Sequence, residues 1–171
     1  MWIIYIVSYA KAKGFSGYEA VTFSLAGGIG NVVFKIVFSL ILYKGLLKMR
    51  PSLFVTTIAC SVTLLTLPWM STYWIMMINA FLYYGLSGMI AILGDIYTRD
   101  LFGDENLVPA FSWLAVFTAA LTIAFGFFPG LMFDLTGSYD LAFVILGCVS
   151  ILPLVSLFAE ALLSRRKGRP L

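Results

Sequence analysis

Apolar residues run almost unbroken through five stretches of the chain, at 20–43, 53–70, 73–97, 109–133 and 141–164, and short polar clusters separate them. A helix that crosses a bilayer needs about 20 such residues, so each stretch predicts one span. A sixth stretch, MWIIYIVSYA at 1–10, has only half that length. It lacks the basic residues that open a secretory signal and reads as a truncated span. The pattern therefore predicts an all-α, polytopic transmembrane helical bundle of about six helices, the first one cut short. Two connections carry helix-ending chemistry. In DLFGDENLVPAF, Gly103 stops one span and Pro109 suits the first turn of the next. In DLTGSYD, at 134–140, Gly137 fits a tight turn whose backbone is closed to other residues. Pro129 and Pro153 fall inside spans and predict kinks. No repeat or linker divides residues 1–171, which read as one bundle with a basic tail at 164–171.

Composition agrees with this reading: 61% of the 171 residues are hydrophobic and 11% charged, and mean hydropathy is +1.00. One soluble core of this size does not require so much apolar surface. Histidine is absent, and Cys60 and Cys148 lie in apolar runs. Neither a metal site nor a disulfide framework has the residues it needs, and both cysteines read as packed thiols. The net charge of +3 does not point to nucleic acid, because four of the eleven basic residues sit at 165–169, beside the last span. Lys44, Lys48, Arg50, Arg99 and that tail fall on one side of the bundle, and Lys11 and Lys13 on the other. By the rule that keeps lysine and arginine inside, the C-terminus is expected in the cytoplasm, and six crossings place the N-terminus there too.

One cation breaks the apolar pattern. In GGIGNVVFKIVFSLILYKG, at 27–45, Lys35 stands four residues after Asn31 within a span. Residues three or four apart share a helix face, so Ser24, Gly28, Asn31, Lys35 and Ser39 form one small or polar stripe opposite Val, Ile, Phe and Leu. At 1.5 Å per residue, Lys35 lies roughly 13 Å from Lys44 at the end of the span, too deep for its stem to reach water fully. A lysine at such depth costs about 2.5–3.5 kcal/mol on insertion scales. Three compensations are open: a carboxylate or carbonyl on a neighbouring helix, a pathway in which the cation attracts an anion, or a lipid headgroup. The acidic residues nearest the spans, Asp95 and Glu160, sit towards helix ends, which makes them poor deep partners.

Weaker stripes recur elsewhere. Asn79, Tyr83 and Ser87 stand four apart, as do Thr118, Thr122, Gly126 and Gly130. The first set fits either a cavity lining or hydrogen bonds between helices. The second contains Gly-x-x-x-Gly and is expected to serve close helix packing. No catalytic constellation is present: histidine is missing, no phosphate-cradling Gly-x-x-x-x-Gly-Lys occurs, and the carboxylates are not paired. No cofactor is called for.

The stretches DLTGSYDLAF at 134–143, DLFG at 100–103 and YIVSYAKAKGFSGYEAVTFSLAGGIGNVVFK at 5–35 resemble the last third, and the seventh and eighth helices, of the monocarboxylate transporters. These are a solute-carrier branch of the major facilitator superfamily. The resemblance covers the chain up to about Gly147 and implies the C-terminal half of a twelve-helix fold. It implies transport of a monocarboxylate or related organic anion or zwitterion by alternating access between two halves. It also implies residence in the plasma membrane and three kinds of partner: a missing N-terminal six-helix half, a small carboxylate-bearing substrate and an accessory membrane glycoprotein. In the family the eighth helix carries an aspartate that couples protons and, four residues later, an arginine that holds the substrate carboxylate. Asn31 and Lys35 occupy those places. Lysine keeps the charge without the planar two-point grip, and asparagine takes up no proton. A facilitative or differently coupled carrier is implied, with Lys35, Asn31, Asn79 and Tyr83 as candidate substrate-binding residues. The alternative is a non-transporting membrane bundle that acts as an interaction partner or remnant, its stripe serving only packing.

Overall fold

The computed structural model describes residues 2–155 and residue 158. Met1, Glu160, the end of the last predicted span and the basic tail lie outside them. The described residues form seven α-helices and no strand: α1 (Trp2–Ala12), α2 (Gly17–Tyr43), α3 (Met49–Thr66), α4 (Tyr73–Phe102), α5 (Leu107–Gly126), α6 (Phe128–Thr136) and α7 (Asp140–Val149). The protein is an all-α bundle. Four segments, Gly17–Tyr43, Met49–Trp69, Tyr73–Phe102 and Leu107–Thr136, are long and apolar enough to cross a membrane. A shorter apolar helix follows at Asp140–Val155. These coincide with the apolar stretches read from the sequence, and they mark an integral membrane protein.

Local chemistry sets the helix ends. Ser16 accepts the Glu19 amide while the Glu19 carboxylate accepts the Ser16 amide, a reciprocal cap that starts α2. Gly45, at φ +66°, ends that helix, and the amides of Gly45 and Leu46 close back onto the carbonyls of Leu42 and Ile41. Gly137 is left-handed as its turn requires, and its amide caps Phe133. The chain breaks between α5 and α6, with Pro129 in the first turn of α6 and the Gly126 carbonyl accepting the Tyr5 hydroxyl at 2.9 Å. A turn at 150–151 likewise precedes Pro153.

The spans alternate in direction, so α2 and α4 run parallel and in direct contact, with α3 returning against α4. Matched pairs along α2 and α4 show this: Thr22 reaches Tyr73, Asn31 reaches Tyr84, and Gly85 meets Phe34. The core lies towards the end where α1 finishes and α2 and α4 begin. It gathers Ile6, Tyr9, Ala20, Phe23, Leu64, Leu67, Met76, Ala80, Tyr84 and Phe143. At this end Lys13 pairs with Asp140 at 3.1 Å and donates to the Pro68 carbonyl, while the Tyr9 hydroxyl donates to the Asp140 carboxylate. One ion pair thus ties the ends of α1, α3 and α7 together. At the opposite end Arg99 grips Asp104 through two hydrogen bonds, which hold that carboxyl below its ordinary range. Packing is uneven: in α5 only Ala110 is buried.

Two expectations are corrected. Cys60 is buried as expected, but Cys148 is exposed, because α7 turns Gly147 and not its neighbour towards α3. The Gly126 and Gly130 pair does not make a close helix crossing. A side chain at Gly126 would meet no described atom within 4 Å, and one at Gly130 would meet the Tyr5 ring and hydroxyl no closer than 3.4 Å, an ordinary contact. Glycines approach a neighbouring helix closely instead at Gly147 against α3 and at four positions between α2 and α4.

Candidate functional site

The α2–α4 seam is built by exchange. Gly27 and Gly30 of α2 leave room for the Tyr84 ring and the Phe81 backbone, and Gly85 and Gly88 of α4 leave room for the Phe34 ring and for Asn31 with Lys35. A methyl group added at Gly88 would lie 2.7 Å from Asn31 Nδ2 and 3.2 Å from Lys35 Cε. One missing side chain on α4 therefore seats both polar residues of α2. Such small residues let two backbones approach closely where lipid supplies no hydrophobic drive for association.

Asn31 uses its seat structurally: its amide donates to the Tyr84 carbonyl at 2.8 Å, a bond between two helices. Lys35 is placed differently. Its stem lies over Gly88, its side chain is exposed, and it makes no hydrogen bond or ion pair with any described residue. The described part of the chain thus supplies no carboxylate for it. Asp95, the nearest acidic residue along α4, is exposed two turns beyond Gly88.

The other two candidates do not join this pair. Asn79 is buried, and its amide donates to the Thr63 carbonyl of α3 at 3.0 Å. Tyr83 lies four residues on, one turn along the same face of α4, towards Cys60 of α3. Gly85 and Gly88 face α2, about half a helix turn away from Asn79. The structure brings Asn31 and Lys35 together and puts Asn79 and Tyr83 in a different interface. Ser87 closes on the Tyr84 carbonyl of its own helix.

A groove of about 790 Å³ opens between α4 and α5, lined by Ala91, Gly94, Asp95 and Thr98 on one side and Ala115, Thr118 and Thr122 on the other. With about 100° of rotation per residue, Ala91 and Thr98 fall on the flank of α4 that matches the Lys35 flank of α2. The hydroxyls of Thr98 and Thr122 donate to carbonyls one turn earlier, leaving acceptor lone pairs towards the groove. Thr118 and Thr122 thus belong to an open wall, not to a packed crossing.

Sequence reasoning passed over Gly88 and the seam glycines Gly27, Gly30 and Gly85. The signal was present as two glycine pairs at spacing three, Gly27/Gly30 and Gly85/Gly88, one on each of two parallel spans. Tyr84 also went unremarked; it is 6% exposed, and its hydroxyl has no hydrogen-bond partner among the described residues. Neither a protein-family model nor a curated protein sequence matches the chain.

Proposed function

We infer that this chain is half of a membrane carrier for monocarboxylates or related small organic anions and zwitterions. It works by alternating access with a second six-helix half, and Lys35 meets the substrate carboxylate. One observation carries the reading: a lysine deep in a spanning helix, its stem seated on Gly88 and its ammonium exposed with no partner among the described residues. An intramembrane cation of this kind is retained where it faces a water-filled path or an anion. Asn31, committed to the Tyr84 carbonyl, supports a carrier whose coupling does not pass through a proton at that position. On this reading the C-terminus lies in the cytoplasm of a plasma-membrane protein, and an accessory membrane glycoprotein is a further candidate partner.

The test is uptake of a radiolabelled short-chain monocarboxylate into proteoliposomes holding this chain together with its other half. Lys35→Gln is expected to abolish uptake while the protein still inserts and elutes as one species. Lys35→Arg is expected to retain it. Undiminished uptake by Lys35→Gln refutes the assignment.

A further inference from the structure

We propose that the connection between α2 and α3, residues 43–50, is a docking surface for the headgroups of anionic phospholipids. The two-bond glycine turn at Gly45 reverses the chain where α2 emerges from its apolar run, and it turns Leu46 and Leu47 outwards, 69% and 45% exposed. Tyr43, at 88% exposed, stands beside them. Lys44 and Lys48 flank the leucines, both exposed and neither with its side chain bonded to a described residue, and Arg50 is exposed in the first turn of α3. No acidic residue occurs between Glu19 and Asp95, so the whole connection is cationic.

Apolar and cationic groups alternate here within eight residues at the margin of a spanning helix. Leucines that enter the acyl boundary hold the lysines at the depth of the lipid phosphates, where each basic residue gains from a negative surface. A soluble anion would be met by the lysines alone and would leave the leucines in water. The adjacency of the two chemistries is what commits this surface to a lipid. This surface is independent of transport and does not involve Lys35.

The experiment is native mass spectrometry of the purified full chain in neutral detergent, titrated with dioleoyl phosphatidylglycerol or dioleoyl phosphatidylcholine. Phosphatidylglycerol is expected to bind the more tightly. Lys44→Gln with Lys48→Gln is expected to weaken its tightest binding step about 30-fold, from about fivefold per cation. Lys44→Arg with Lys48→Arg should leave that step unchanged, and Leu46→Ser with Leu47→Ser should weaken it. Lys11→Gln, at the opposite end of the bundle, should have no effect. Equal affinity for the two lipids, an unaltered double glutamine variant, or displacement of phosphatidylglycerol by millimolar inorganic phosphate each overturns the proposal.

Discussion

Gly30→Ala tests the seam on which the candidate site rests. A methyl group at Gly30 would press on the Phe81 carbonyl oxygen, closer than the 2.8 Å it would find at Gly27 against the Tyr84 ring or the 2.6 Å at Gly85 against the Phe34 ring. A ring can give by a change of χ1, since the contact reaches its Cγ, but a helix carbonyl cannot move without its helix. Overpacking of this kind costs about 1–3 kcal/mol, and a backbone clash belongs at the upper end. Alanine returns up to about 1 kcal/mol through helix propensity. The net loss is about 2 kcal/mol, or about 4–8 °C in Tm for a chain of this size. Gly28 is the internal control, since it lies on the same helix with no described atom within 4 Å of an added methyl. Gly28→Ala should leave Tm unchanged or slightly raised. Fluorescence-detected size-exclusion chromatography after stepwise heating reads both. Gly27→Ala and Gly85→Ala should fall between them. If Gly30→Ala melts with the wild type, or Gly28→Ala loses as much, the two helices do not pack through these glycines.

Asn79→Leu removes the bond to the Thr63 carbonyl and should cost about 1 kcal/mol of stability; on the proposed carrier reading it leaves uptake per folded molecule intact, and a lost rate with unchanged Tm would return Asn79 to the substrate-binding candidates. Tyr84→Phe removes a buried hydroxyl that no described residue satisfies, and should raise stability by about 1 kcal/mol. A lower Tm for that variant in the same heating assay would mean that the hydroxyl has a partner.

Fold and site were legible to different depths. Spans were read well because burial in a bilayer demands a long apolar run, and Gly137 because a left-handed turn tolerates few other residues. Asn31 and Lys35 were found because polar groups stand out against hydrocarbon. Their neighbours were not, because spacing along one helix says nothing about which helix it faces. Asn79 and Tyr83 have the same spacing of four as Asn31 and Lys35, yet they turn to α3. Gly126 and Gly130 match a packing motif but meet, among the described residues, only the Tyr5 side chain at ordinary contact distance, because Pro129 breaks the helix between α5 and α6 before a straight crossing can form. The seam depends on register between two helices about fifty residues apart, information that a single sequence holds only as an unpaired half on each helix.

The exposed surface of α2 is of two kinds, and the difference bears on what surrounds it. Leu25, Ile29, Val32, Val33, Ile36 and Val37 are all exposed on the side away from α4. Hydrocarbon satisfies that side at no cost. The flank beside the seam carries Ser24, Gly28, Asn31 and Lys35, and there hydrocarbon would leave an ammonium unsolvated at about 2.5–3.5 kcal/mol. The lysine stem lies against α4 in the space that Gly88 leaves open. A residue needed only to fill that space would be satisfied by leucine, which brings no charge. On the proposed reading, the polar flank meets water or a second bundle and the apolar side meets lipid, so the rotation of α2 in the membrane is set by the same glycine that positions the cation.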